Sequence, residues 1–250
     1  MPEKFVPENA GQVRDIVAWA MNAREPLAIQ GHASKAGLGP LVKRRNVLDL
    51  SRLDGIISYA PEELVLTAQA GAPMAAIQAL LCEHRQYLGF EPPDWGPLFG
   101  AHTDRGTIGG ILSCNASGPR RFSAGAARDH FLGFTGVNGR GELFTAGGRV
   151  VKNVTGYDVC KLLAGSHGTL AALTEITVKV LPKGEKTRTI LMFGLDDEAA
   201  VAALAQAAGS PHDTSGQAHL PAAIARRSSV AYVGGAGASV TAVRVEGTAV

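Results

Sequence analysis

Cysteine is scarce in this chain: Cys82, Cys114 and Cys160 are the only three among 250 residues. They lie far apart and form no CxxC pair, which argues against zinc or iron–sulfur ligation and against a disulfide scaffold. Net charge is also small, at +2, too little to point to nucleic acid. The basic doublets Arg44–Arg45, Arg120–Arg121 and Arg226–Arg227 read as solvated faces. Long apolar runs are missing, and the opening residues MPEKFVPENAGQVRDIV hold no signal-peptide core. The expectation is a cytoplasmic protein with no direct membrane span, in which the sequons at Asn115 and Asn153 occur by chance. The familiar nucleotide motifs are lacking too. No P-loop run exists. The nearest approach to GxGxxG, Gly235-Ala-Gly237-Ala-Ser-Val240, has no third glycine and leads into a strand-like run where a helix is required. Both motifs are set aside.

What is present is an ordinary globular composition, 46% hydrophobic and 18% charged, long enough for one large domain or two modest ones. Val13, Ile16, Val17, Ala20 and Met21 recur at helical spacing behind Asn9 as cap. PLAIQ, NVLDL, GIISYA and ELVLTAQA read as short strands, and Pro73 opens a helix carrying Met74, Ile77, Leu80 and Leu81. Residues 91–105 read as a surface loop. A short helix from Thr107 to Asn115 is entered through Gly109–Gly110, and DHFLGFTGVNGRGELFTAGG reads as a hairpin turned at Asn138–Gly139. TLAALTEITVKVLP alternates imperfectly, as a buried strand does.

After Pro182 the rhythm changes. KTRTILMFGL reads as a strand, and DDEAAVAALAQAA as a helix with an acidic start. LPAAIARR reads as a further helix. SVAYV and SVTAVRV read as two strands of a hairpin turned by GGAGA. A domain boundary is expected near residue 184, with a second domain that looks unfinished.

Three loops carry chemistry. Gly31-His32-Ala33-Ser34-Lys35 follows a strand with small residues and a cation, suited to wrapping phosphate in main-chain N–H groups. TIGGILSCNASGPRR has paired glycines, then Asn115, Ser117 and Gly118. GRVVKNVTGYDVCKLLAGSHGTL brackets a helix-sized block, Tyr157 to Ala164, with glycines and sets Lys152–Asn153 before it. Backbone in such loops can approach a flat or phosphorylated ligand closely.

The order ASGPRR, hairpin, GG-x-V-x-KN-x-x-GYD, then GTL-x-x-x-TE resembles the core of the vanillyl-alcohol-oxidase-type (PCMH) flavoproteins. Within them it is most similar to the FAD-binding subunits of bacterial glycolate oxidases. The resemblance covers most of residues 1–183 and fades beyond. It implies an α+β fold: a PCMH-type FAD-binding domain of two α/β subdomains over residues 1–183, then a partial α+β cap domain over 184–250. It implies FAD as cofactor, with Gly31, His32, Ala33, Ser34 and Lys35 at the pyrophosphate. Gly109, Gly110, Asn115, Ala116, Ser117 and Gly118 would lie at pyrophosphate and flavin, and Lys152, Asn153, Gly156 and Tyr157 on the flavin or ribityl side. Thr174, Glu175 and Ile176 would pass the adenine end.

By the same resemblance the substrate is a small 2-hydroxy acid such as glycolate. The partners are a second flavoprotein subunit and an iron–sulfur subunit, through which the chain would sit peripherally at the inner membrane. The rival expectation is a non-catalytic FAD-holding relay or assembly subunit. No catalytic base and no metal ligand is assigned. Relatives carry more glycine in the first loop, so His32 reads either as a phosphate donor, as a covalent flavin link or, preferred, as a loop histidine facing solvent. Tyr157 reads as packing its helix on the sheet, and Cys160 as a small core residue. His167 reads equally as a ligand neighbour or an ordinary loop histidine.

Overall fold

The computed structural model describes residues 3–38, 46–148 and 156–248. In chain order the first part runs β1 (Glu3–Phe5), α1 (Ala10–Ala23), β2 (Leu27–Gln30), β3 (Asn46–Asp49), β4 (Ile56–Ala60), β5 (Val65–Gln69), α2 (Met74–Glu83) and β6 (Gln86–Tyr87). It continues through α3 (Ile108–Ser113), α4 (Arg121–Ala124), α5 (Ala127–His130), β7 (Phe131–Asn138), β8 (Leu143–Gly147), α6 (Val159–Leu163), β9 (Ala171–Lys179) and β10 (Leu181–Pro182). The remainder is β11 (Lys186–Phe193), α7 (Asp197–Ala208), β12 (Thr214–Leu220), α8 (Ala222–Ala225), α9 (Ala231–Gly234) and β13 (Val240–Gly247). Two compact units result: residues 1–118 with 125–182, and residues 119–124 with 183–250.

Besides the short antiparallel pair β6–β10, the first unit holds two larger sheets of different character. A small parallel sheet runs β1-β3-β2, and a five-stranded antiparallel sheet runs β4-β5-β9-β7-β8. Helix α1 starts where the Asn9 side chain accepts from Gln12 N at 3.0 Å. It stops where Arg24 turns left-handed at φ 56°. Its Val13 packs with Leu48 and Leu50 beside the small sheet, and with Val137 and Ala172 of the large one. The main core lies on one face of the large sheet, where Ile77 and Leu81 of α2 and Ile111 and Leu112 of α3 meet Leu66, Phe134 and Ile176. Strand β9 has neighbours on both edges and is buried along nearly its whole length. That is why its sequence shows no clean alternation.

The β7–β8 hairpin forms, but not with the expected tight turn. Asn138 N donates to Glu142 O and Gly141 N to Asn138 O, both at 3.0 Å. The left-handed residue is Gly141, at φ 73°. The Asn138 side chain closes the loop by accepting from Arg140 N and Glu142 N.

In the second unit β13 is the central strand, with β11 and β12 antiparallel on either side. Asp196 caps α7 by accepting from Ala199 N at 2.8 Å. The expected SVAYV–SVTAVRV hairpin is corrected: Ala231–Gly234 is a helical turn, and the partner of β13 is Thr214–Leu220. Both edges of β13 are filled, so SVAYV has no strand to pair with. Its backbone closes locally instead, Val233 N and Gly234 N donating to Val230 O. Residues 119–124 join this unit through Arg120, paired with Glu246, which also accepts from Ser215 Oγ at 2.8 Å. Burial alone would raise the Glu246 carboxyl, but hydrogen bonds from Arg120 and Ser215 outweigh it and hold the group below its usual value.

Candidate functional site

A cavity of about 180 Å³ opens in the first unit, between the turn after β2, the first turn of α3 and the start of β9. The turn brings His32, Ala33, Ser34 and Lys35 to it, and α3 brings Gly109, Gly110 and Cys114. His167, Gly168, Ala171 and Leu173 complete the wall.

Helix α3 is held in place by Thr107, whose side chain accepts from Gly110 N at 3.2 Å. Gly109 and Gly110 therefore lie inside the first helical turn rather than at its entrance. Gly31 has room for no side chain, since a Cβ there would come 2.6 Å from Thr107 Oγ1 and 2.9 Å from Thr107 Cγ2. At Gly110 a Cβ would come 3.3 Å from Lys35 Nζ. The two glycines let the turn close on the helix and leave the Lys35 ammonium over its first turn.

The electrostatics of the cavity are one-sided. Lys35 Nζ donates to Ser34 Oγ at 3.3 Å and makes no ion pair among the described residues. Burial pushes its pKa down, partly countered by the Cys114 and Asp94 charges. Burial pushes the Cys114 thiol up, against the pull of Lys35. Cys114 Sγ lies 3.7 Å from His167 Nδ1. His32 does not face solvent as expected: it lines the cavity, half-buried, and its Nδ1 is shut off from water with no partner among the described residues. The short turn draws the ring inward.

The other expected residues lie elsewhere. Asn115 Oδ1 accepts from Arg128 N, and Ser117 Oγ accepts from Ala127 N, both at 2.9 Å. Ala116 is core, and Gly118 packs against the Glu91 carbonyl. These four shape the loop after α3 and do not line the cavity. Lys152 and Asn153 lie outside the described residues. Gly156 is exposed at φ 84°, and Tyr157 is 93% exposed, so it does not pack its helix on the sheet. Asp158, accepting from Lys161 N, starts α6 only after Tyr157, which leaves that ring outside. Cys160 is buried core. On β9, Thr174 and Ile176 are buried, while Glu175 accepts from Thr135 Oγ1 at 3.3 Å beside a separate cavity of about 180 Å³. Sequence reasoning missed Thr107 and Cys114. Cys114 was within reach, because it lies four residues after Gly110 on the same helical face.

Residues 4–147, more than half the chain, match the FAD-binding domain family. The chain belongs to that family. The chain is 43% identical over 164 residues to glycolate oxidase subunit GlcE of Escherichia coli, covering 66% of this chain and 45% of the relative. It is 30% identical over 193 residues to glycolate oxidase subunit GlcD of Bacillus subtilis, covering 76% and 39%. Among solved structures, alkyldihydroxyacetonephosphate synthase matches with a TM-score of 0.76 at 19% identity, over 98% of this chain and 47% of that one. That likeness shows the fold alone. The chain thus spans less than half the length of these relatives.

The cofactor of the family is FAD, and the cavity's residues fit a phosphorylated group. An ammonium without a counter-ion, an unpartnered buried imidazole nitrogen and glycines at the closest approach are what such a ligand needs. At about 180 Å³ the cavity is smaller than the ~300–1,000 Å³ typical of a whole ligand and takes only part of an extended one. Among the described residues no group of three His, Cys, Asp or Glu side chains is placed to hold a metal ion. None of their helices is long and apolar enough to cross a membrane.

Proposed function

We propose that this chain is the FAD-holding part of a flavoenzyme that oxidises a small 2-hydroxy acid, with glycolate foremost. The carrying observation is the cation-bearing, glycine-lined cavity in a chain 43% identical to a glycolate oxidase subunit. When bound, the flavin supplies the two-electron acceptor for hydride from the substrate's α-carbon. The chain's own work is binding and orientation. The Gly31–Lys35 turn and the first turn of α3 hold the phosphate portion, and Gly168 to Leu173 form the opposite wall. The loop through Asn115–Gly118 and the segment through Lys152–Tyr157 are assigned to the flavin side, and Thr174–Ile176 to the adenine side. The second unit is read as belonging to a cap domain. Electrons then pass to a second flavoprotein subunit and an iron–sulfur subunit, with the assembly cytoplasmic and peripheral to the inner membrane.

A second reading is an FAD-holding relay or assembly subunit. It is favoured by the likeness to two different glycolate oxidase subunits, GlcE and GlcD, since the domain alone does not say which of them oxidises substrate. Absorbance spectroscopy separates the readings. Purified protein should show a flavin band that anaerobic glycolate bleaches. A flavin band that glycolate leaves untouched, but reduced partner subunit bleaches, selects the relay. A colourless protein that takes up no added FAD refutes both.

A further inference from the structure

The two sides of the second unit differ in charge. On β12, His219 turns toward α7, its Nε2 3.2 Å from Asp197 Oδ1, and Gln217 Nε2 donates to Leu204 O at 2.9 Å. Leu220 points the other way, against a small core of Ala225 from α8, Val233 from α9 and Val240. Helix α7 therefore covers one face of the sheet, and α8 and α9 cover the other. The acidic start of α7, Asp196, Asp197 and Glu198, belongs to the first face. Residues 214–245, which carry α8 and α9, contain no Asp or Glu. Each of these two helices is a single turn with one buried residue, Ala225 or Val233. A single turn has no second inward position, so the residue before each is left in water: Ile224, and Tyr232 at 81% exposure. Val230 is exposed beside them. Phe193 pairs in register with the buried Val240, so it lies on the same face, and it too is exposed. Between the helices stand Arg226 and Arg227, both exposed and without an ion pair among the described residues.

We infer that the α8–α9 face of the second unit rests directly on an anionic lipid surface. Arg226 and Arg227 donate to the phosphate oxygens of the headgroups, which accept from guanidinium groups in pairs. Ile224, Val230 and Phe193 enter the layer beneath, and Tyr232 keeps its hydroxyl among the headgroups while its ring lies deeper. An acidic peptide would answer the arginines alone; the apolar side chains interleaved with them call for a hydrocarbon phase as well. The acidic start of α7 lies on the far side of the sheet, away from the anionic surface, so charge also sets the orientation. The inference is independent of the FAD reading, and touches it only by making the peripheral membrane location direct rather than through partner subunits.

The test is flotation of full-length protein with two kinds of vesicle, one of phosphatidylcholine mixed with phosphatidylglycerol and one of phosphatidylcholine alone. The parent should float with the first and stay behind with the second. Arg226→Gln combined with Arg227→Gln should weaken binding by roughly 30-fold, about five-fold for each arginine. At about 1 M salt, where the Debye length is about 3 Å, the parent should weaken toward the double variant. Tyr232→Ser should weaken binding several-fold and leave thermal stability unchanged, because the ring is exposed. Val201→Ser, at an exposed apolar position on α7, and Arg140→Gln, an exposed cation of the first unit, are controls and should float like the parent. Equal flotation with both vesicles, or flotation that the arginine and Tyr232 variants leave untouched, overturns the inference. Absence of flotation overturns it too, and leaves this face to a protein partner. Should the double variant fail to fold by circular dichroism, the salt dependence and Tyr232→Ser still decide. Flavin absorbance of the same samples tests the FAD reading separately, so either can fail alone.

Discussion

Replacing Gly31 by alanine puts a methyl where Thr107 already stands. The new Cβ would lie 2.6 Å from Thr107 Oγ1 and 2.9 Å from Cγ2. Thr107 is only 3% exposed, so it has no solvent to swing into. Relief can come from Thr107 leaving its rotamer, which forfeits the bond from Gly110 N and costs about 1 kcal/mol as a lost cap. It can come instead from the turn backing away, at about 1–3 kcal/mol for an overpacked site. The two routes bracket the loss in the first unit at about 1–3 kcal/mol. Trp19 and Trp95 are the only tryptophans and both belong to that unit, so intrinsic fluorescence in urea reads it selectively. Thr107→Ala removes Oγ1 and Cγ2, leaving the Thr107 Cβ 3.3 Å from the added methyl. The double variant should therefore be scarcely less stable than Thr107→Ala alone, a coupling of about 1 kcal/mol or more. FAD titration should follow the same order, with Gly31→Ala weakest because His32 is displaced with the turn. Strict additivity of the two losses, or a neutral Gly31→Ala, would refute the packing of turn on helix.

The cysteines should react in order of exposure. Cys82 is exposed and Cys114 half-buried, while the Cys160 thiol is pushed to about 11 by burial and by the charge of Asp158. At pH 8 an aromatic disulfide reagent, followed by mass spectrometry, should label Cys82 first and Cys160 last; equal rates would refute this. Asp49 should govern part of the acid stability. Burial raises its carboxyl, but hydrogen bonds from Lys4, Ser51 and Gln30 outweigh that and hold it below its ordinary 3.8. A group depressed in the folded state stabilises fully above its unfolded value and loses that contribution as pH falls through the folded one. The stability gap between parent and Asp49→Asn should thus be level from pH 7 to 5 and shrink below about 4. An equal gap at pH 3 and pH 7 would count against the assignment. Tyr157→Ala should change stability by no more than ~0.5 kcal/mol, because the ring is 93% exposed. A melting-temperature loss worth more than 1 kcal/mol, roughly twice that allowance, would return the ring to the sheet.

The sequence by itself determined what depends on near neighbours. Asn9 caps the helix it precedes, and the apolar run before Asn138 pairs with the one after Glu142. The ordered motifs from ASGPRR to GTL-x-x-x-TE carried the family, because cofactor-binding backbone needs particular small residues at particular places. Tertiary structure decided what depends on partners distant in sequence. SVAYV has strand-forming residues, yet TSGQAHL, with a glycine and a histidine, takes the free edge of β13. Local propensity is weaker than a ladder of hydrogen bonds to a strand already in place. The same holds at the site. Nothing local makes His32 turn inward. That choice comes from Gly31 closing on Thr107, which seats His32 and Lys35 in one cavity with Cys114 and His167, residues distant from them in sequence. Convergence of that kind arises only when the turn, α3 and the start of β9 pack together, which is why the sequence named the loops and the fold chose the side chains.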